Sequence, residues 1–474
     1  MSRLRSNLIY QTAYQILAIA LPLITTPVIT RNLGADGLGQ YSYTNAIVSY
    51  FALFALLGVN SYGVREIAQA RNSENKDALN EAFSGIFSLQ MILSIIVIVA
   101  YYAYVLLFVR KYVSLAMLQG FALLGTIVDI NWFYFGMEQF RVTVTRNLVI
   151  KVVCAIIIIF FIKEPSDIYL YAFTLVGSTV VSNFVLAFGL RHYVKFRIPK
   201  RKLILCHLKP NLILFIPVVA ASLYTYVDKI MIGAIAGTFH NGCYEAMEKL
   251  INVPNACIAA LITVMFPRIS VMVTSKANDK IKNYIQLSML FVMTFSSACF
   301  FGMLGVAKLF VPLFLGEEFT QAVYLIIVGT LILLPRGARN IVKSEYLLPH
   351  KKDKEVTVAF IASGIANVII NLFFIPRFGA MGATIATIVA ETTSCALMFY
   401  WSRSAIALSK MIVLGLPFVL FGLIMYVTIR FAAVCLTLKG WFLLFALILI
   451  GGTVYSVLSI AYVYLIKRSG VISL

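Results

Sequence analysis

The sequence predicts an all-α polytopic membrane protein: about fourteen transmembrane helices, forming two six-helix lobes related by a parallel repeat, with two further helices at the C-terminus. Three observations lead there. Of 474 residues, 61% are hydrophobic and 12% charged, with a mean hydropathy of +0.92. A water-soluble domain of that composition could not cover its core with polar surface. Apolar runs of spanning length follow one another with short polar breaks; at roughly 20 residues per crossing, fourteen spans use about 280 residues and leave no room for a large extramembrane catalytic domain. Basic residues, finally, concentrate in alternate breaks.

The spans read, in order, 8–30, 41–63, 83–108, 113–136, 147–162, 168–190, 211–235, 244–266, 284–307, 320–335, 356–375, 380–401, 411–432 and 440–465. The first follows Arg3 and Arg5 and superficially resembles a secretory leader. It runs too long, holds Gln11, Gln15, Thr25 and Thr26, and lacks a small-residue cleavage site, so it reads as a retained span. With both termini cytoplasmic, twenty-eight of the 39 Lys and Arg fall in inside loops and eight in outside loops, while Lys151, Lys229 and Lys249 lie within spans. This is the positive-inside pattern. It accounts for the net charge of +20 by topology, with no nucleic-acid partner. The longest and most basic inside loop divides the chain into an N-lobe at 1–190 (spans 1–6), a cytoplasmic linker at 191–210, a C-lobe at 211–401 (spans 7–12) and appended spans 13 and 14 at 402–474.

Matches at nearly constant offset support a duplication. Asn7-Leu8-Ile9 pairs with Asn211-Leu212-Ile213 and Gly125-Thr126 with Gly329-Thr330, both at 204 residues; Gly39-x-Tyr41 pairs with Gly242-x-Tyr244 at 203. Phe160-Phe161-Ile162 and Phe373-Phe374-Ile375 match at 213. Six spans per half is an even number, so both halves enter the membrane from the same side, and rocking of parallel repeats gives alternating access to a site between them.

Polar groups inside spans are costly in hydrocarbon and are the candidates for function. Glu245, Glu248, Lys249, Asn252 and Asn255 share one face of span 8, readable as a cavity wall or as a salt-bridged helix start. Ser363, Asn367 and Asn371 stripe span 11, and Thr384, Thr387, Glu391 and Ser394 stripe span 12, as cavity lining or as interhelical hydrogen bonding. Asn7, Gln11 and Gln15 share a face of span 1, and Tyr41, Asn45 and Ser49 a face of span 2. Span 10 is expected to break at Pro335, beyond which Arg336, Arg339 and Lys343 form a cationic stripe if the helix continues. Ordinary positive-inside anchoring is one reading; phosphate binding, suited to the donor fork of arginine, is the other. Arg31, just past span 1, is a matching cation at the opposite mouth.

No G-x-x-x-x-G-K-[ST] motif points to direct ATP use, and no H-E-x-x-H or D-x-D pair suggests metal-dependent chemistry. The 7 cysteines and 4 histidines are scattered, so neither a metal nor another cofactor is expected.

Several segments together resemble a known family. They are Arg31-Asn-Leu-Gly34, Gly39-Gln-Tyr41, Gly63-Val-Arg-Glu-Ile67, Trp132-Phe-Tyr-Phe-Gly-Met-Glu138, Tyr226-Val-Asp-Lys229-x-Met-Ile-Gly233, Phe266-Pro-Arg268, Tyr346-Leu-Leu-Pro-His-Lys-Lys-Asp-Lys-Glu355, and Asn367-x-x-x-Asn371-Leu-Phe-Phe-Ile-Pro376-x-x-Gly379-Ala-x-Gly-Ala383-x-x-Ala-Thr387-x-x-x-Glu391. In order and spacing they look like bacterial polysaccharide flippases, Wzx-type, of the multidrug/oligosaccharidyl-lipid/polysaccharide exporter superfamily. The resemblance runs from span 1 through span 12. It implies outward movement of an undecaprenyl-diphosphate-linked oligosaccharide across the bacterial cytoplasmic membrane, with a lateral opening for the lipid tail. Arg31, Arg336, Arg339 and Lys343 are then expected at the diphosphate, and Gln11, Asn45, Lys249, Asn252, Asn367 and Asn371 at the glycan. Asp228 and Glu391 are expected to couple H+ or Na+, as the acidic cation site of multidrug exporters implies, although Lys229 adjoins Asp228. Partners would be the lipid-linked glycan, membrane lipid, and polysaccharide polymerase and chain-length proteins. The alternatives are a cation-coupled multidrug antiporter of the same superfamily and, from another class, a membrane glycosyltransferase or polymerase, against which the short outer loops count. An enzyme is not expected.

Overall fold

Long apolar helices account for nearly all of the chain, because backbone polar groups in hydrocarbon must be satisfied within the segment. The computed structural model describes residues 2–72, 76–274, 278–403, 406 and 408–468, with the side chains of 2–19, 140, 224, 267, 274, 278, 279 and 408–410 outside the description. No strand occurs among the described residues. Among the described residues, thirteen helical stretches are long and apolar enough to cross a bilayer. The first, Ala20–Asn72, has 53 residues. At about 1.5 Å per residue this is far longer than one crossing. It bends at Gly34 (φ 69°, ψ 179°), a conformation that glycine reaches without steric cost. The bend yields two spans, in agreement with about fourteen.

The chain forms two compact units, Met1–Gly242 and Cys243–Leu474. The first holds α1 (Ser2–Leu56), α2 (Val59–Asn72), α3 (Lys76–Phe108), α4 (Val113–Gly120), α5 (Ala122–Ile127), α6 (Asn131–Gly136), α7 (Phe140–Phe161), α8 (Ile168–Leu190), α9 (Arg201–Cys206), α10 (Leu208–Ser222), α11 (Asp228–Ile235) and the first residues of α12 (Thr238–Thr274). Residues of span 7, which the repeat relates to the second half of the sequence, pack in this unit: α11 against α1, and α10 against α2 and α9.

Span 4 is one run in sequence but three helices in space. Its interruption at 128–130 frees carbonyls that hydrocarbon would leave unsatisfied. Gln90 of α3 answers this: its Nε2 donates to the carbonyls of Thr126 (2.6 Å) and Asp129 (2.9 Å), and its Oε1 accepts from Trp132 Nε1 (2.9 Å). Trp132 in turn stacks on Phe83 within a core that includes Ile67, Ile86, Phe133 and Leu186.

The two repeat-related glycines, Gly39 and Gly242, meet. A Cβ on Gly39 would strike the carbonyl of Thr238, and one on Gly242 that of Ala35. Asn241 Nδ2 donates to Gly39 O at 3.0 Å, and Thr238 Oγ1 to the carboxylate of Asp36.

The second unit comprises the rest of α12 with α13 (Asn278–Leu315), α14 (Val323–Gly329), α15 (Leu333–Ile341), α16 (Asp353–Phe378), α17 (Ala380–Ser402), α18 (Leu408–Cys435) and α19 (Gly440–Arg468). α13, α18 and α19 pack together around Met425, Ile429, Leu444, Leu447 and Tyr455, whose hydroxyl donates to Thr294 O at 2.7 Å. Large apolar side chains such as Val413, Phe431 and Phe442 point outward, as a surface facing lipid requires.

Candidate functional site

Span 10 does not simply kink at Pro335. The 3₁₀ turn Thr330–Ile332 precedes α15, Pro335 is the third residue of α15, and the helix widens to a π turn at Val342–Leu347. Proline lacks the N–H that would bond the carbonyl four residues back, and the tighter turn just upstream absorbs the defect. The result is a short helix with unlike faces. Leu334 and Ala338 line an apolar cleft, while Arg336 and Arg339 turn toward α17.

The cleft consists of two pockets of about 350 and 330 Å³ that share Met293, Leu334 and Ile412. Lining is almost wholly apolar, contributed by α13, α15, α17 and α18.

On the other face, one carboxylate serves two guanidiniums. Arg336 Nε donates to Glu391 Oε1 at 2.8 Å, and Arg339 Nη1 pairs with Glu391 Oε2 at 2.5 Å. The side chains of Arg336, Arg339 and Glu391 are 14%, 7% and 1% exposed. Arg339 also donates to Asn340 Oδ1 (3.1 Å) and lies 5.1 Å over the Phe360 ring, with Lys343 Nζ 5.8 Å from the same ring. Glu248 and Tyr244 of α12 interact electrostatically with Arg336. Tyr244 is tied to α17 through its hydroxyl and Thr387 Oγ1, 3.0 Å apart. Three cations thus cluster around one fully buried carboxylate, with Glu248 as a second anion. Cations retained in a membrane-embedded core at that density are costly unless paired, and a surplus of them suits a polyanionic ligand.

The remaining residues of the sequence reading are spread through both units. Arg31 is exposed and Asn45 half-buried in the first unit, and Asp228 there is fully buried at the start of α11. Gln11 lies outside the described side chains. In the second unit Lys249 is half-buried and 3.9 Å from Glu245, and Asn252 is exposed. Asn367 and Asn371 are both 0% exposed, and Asn371 Nδ2 donates to Asn367 Oδ1 at 3.1 Å. The structure therefore joins Arg336, Arg339 and Lys343 to Glu391, which the sequence had placed in a separate ion-coupling role. Asn367 and Asn371 are turned to each other in the helix packing.

Arg146 and Glu345 are buried but fall between the spans read from the sequence, and so outside its candidate residues. Arg146 donates to Ser182 O (2.8 Å), Asn131 Oδ1 (3.0 Å) and Asn147 Oδ1 (2.6 Å). Glu345, in the π turn, is 0% exposed, with the Ser288 hydroxyl of α13 as its polar neighbour.

Comparison with known proteins adds to this geometry. Residues 4–273 match the family described as polysaccharide biosynthesis protein. A protein of Escherichia coli (strain K12) named "Putative O-antigen transporter" is 24% identical over 409 residues, covering 85% of this chain and 97% of that one. Among solved structures, the lipid II flippase MurJ in its inward closed conformation superposes with a TM-score of 0.77 at 14% identity, covering 97% of this chain and 99% of that one. A MATE family multidrug resistance transporter of the MOP superfamily, inward-facing, gives a TM-score of 0.62 at 15% identity, with 84% and 97% covered. At such identities the structural likeness is one of fold.

Proposed function

Since the chain belongs to the polysaccharide biosynthesis protein family, we propose that it is a flippase moving an undecaprenyl-diphosphate-linked oligosaccharide from the inner to the outer leaflet of the bacterial cytoplasmic membrane, for surface polysaccharide assembly. Its relatives carry transporter and flippase names rather than those of catalysts. The substrate has a glycan that hydrocarbon rejects, because each unpaired hydroxyl there costs kilocalories. It also has a diphosphate that needs cations and a polyprenyl tail that prefers an apolar surface.

The observation that carries the proposal is the cluster of Arg336, Arg339 and Lys343 around Glu391. Arginine forks bind phosphate bidentately, and a diphosphate brings more anionic oxygens than the single carboxylate it would compete with. The apolar cleft on the opposite face of α15 offers the tail a seat within the same unit. Alternating access of the two repeats moves the head group, with both termini cytoplasmic. H+ or Na+ supplies the drive through Asp228, since Glu391 is held by two arginines, and polymerase and chain-length proteins receive the product. A potential of 100 mV is worth about 2.3 kcal/mol per charge moved, enough to bias the cycle.

The test removes the buried carboxylate together with both guanidiniums paired to it. Arg336→Gln, Arg339→Gln and Glu391→Gln are combined, and export of lipid-linked glycan is measured in a strain lacking its own flippase, with membrane abundance quantified. The expected result is loss of export at normal abundance. Near-normal export by the triple variant would remove the phosphate role.

A further inference from the structure

The linker of the first unit forms a second cation-lined cavity that the transport reading leaves unused. Residues 194–200 run without regular structure along the N-terminal part of α3. They are held there by specific bonds: Lys195 N donates to Asn80 Oδ1 (2.9 Å), Arg197 N donates to Ser84 Oγ (3.1 Å), and the Arg197 guanidinium pairs with Asp77 at 3.1 Å. With α9 the segment lines an open cavity of about 570 Å³. Arg197, Lys200 and Lys202 line it, and Glu81 is the one carboxylate among its lining residues. Lys200 and Lys202 are exposed and have no ion-pair partner among the described residues. Beside them Ile198 is 91% exposed, with Phe196 at 47% and Leu205 at 50%.

Bare apolar side chains interleaved with lysines are unfavourable in bulk water. They are favourable at the boundary between headgroups and acyl chains, where the apolar part inserts and the cations stay with phosphate. Juxtamembrane basic segments draw acidic lipid on the cytoplasmic side, which is where the charge asymmetry puts this linker. Its attachment to α3 distinguishes it from a loose basic loop: two backbone N–H groups and the Arg197 guanidinium fix the segment against the helix, so binding need not order it first.

We propose that this cavity binds the headgroup of an acidic phospholipid of the cytoplasmic leaflet, its phosphate held by Lys200 and Lys202 and Ile198 inserted among the acyl chains. The site involves none of the residues of the ion cluster and stands whether or not the protein is a flippase.

Native mass spectrometry of the purified full chain tests it, with phosphatidylglycerol, phosphatidylcholine and inorganic phosphate added in parallel. The wild-type protein should retain phosphatidylglycerol in preference to phosphatidylcholine, and inorganic phosphate at equal concentration should not displace it. Each lysine near an anionic surface contributes a factor of about five, so Lys200→Gln with Lys202→Gln should lower retention about 20- to 30-fold. Ile198→Asn, which changes no charge, should lower retention of the long-chain lipid but not of its short-chain analogue. Equal retention of the two phospholipids by the wild type, unchanged retention by the double lysine variant, or full displacement by inorganic phosphate would each overturn the proposal. A wild type that shows no preference for phosphatidylglycerol overturns the proposal even if a variant fails to fold.

Discussion

The shared carboxylate makes a quantitative prediction about Arg339 and Glu391. Both side chains are almost wholly buried, at 7% and 1% exposure, and lie 2.5 Å apart. Breaking a buried ion pair from one side typically costs about 3–5 kcal/mol, because the remaining charge is left uncompensated. The geometry orders the two single substitutions within that range. Arg339→Leu leaves Glu391 still bonded to Arg336 at 2.8 Å, so its cost should fall near the lower end, about 3 kcal/mol. Glu391→Leu removes the carboxylate that two guanidiniums share, close to Lys343, and should fall near the upper end, about 5 kcal/mol. The double variant removes one charge of each sign and leaves Arg336, which keeps Glu248 as a neighbouring anion, together with Lys343. Its cost should therefore be smaller than the sum by about 2–3 kcal/mol, the upper part of the range for coupled neighbours. Equilibrium unfolding of all four proteins in a mixed-detergent titration, followed by helical circular dichroism, measures the cycle. Additivity to within about 0.5 kcal/mol, the behaviour of independent sites, would refute the shared-carboxylate account.

Two further predictions concern the first unit. Gln90→Leu removes the partner of the Thr126 and Asp129 carbonyls and of the Trp132 indole at once; at about 1–3 kcal/mol per buried unsatisfied group the loss should exceed about 3 kcal/mol, read in the same unfolding titration. A value near zero would mean that water or rearrangement satisfies the break in span 4. Gly39→Ala and Gly242→Ala each drive a methyl group into a backbone carbonyl, so both should abolish recovery of monodisperse protein, whereas Gly452→Ala, with nothing within 4 Å of the added carbon, should purify normally. Normal yield of the first two variants would show that the contact between α1 and α12 is looser than described.

Residues close in sequence were the easiest to place. The stripe of Arg336, Arg339 and Lys343 follows from helical spacing alone, and so does the polar face of span 12 that carries Glu391. That the two faces meet does not follow, since 55 residues separate Arg336 from Glu391 and any of several helices could have covered either. The same limit explains Gln90, Arg146 and Glu345. A lone polar residue, inside a span or between spans, has no readable role until the break or carbonyl it serves is known. The Gly39 and Gly242 match was visible as a repeat signal, but its cause, helices crossing at backbone contact, is a property of packing.

Composition and the alternation of basic loops were sufficient for a polytopic helical protein of about fourteen spans, because lipid imposes one rule on every residue of a span wherever its neighbours are. Which cations acquire a buried counter-ion, and which asparagines close on each other instead, was settled only when helices distant in sequence packed. A hydrogen bond or ion pair depends on ångström-scale distance between side chains, and periodicity along a helix carries no information about which other helix lies across from it.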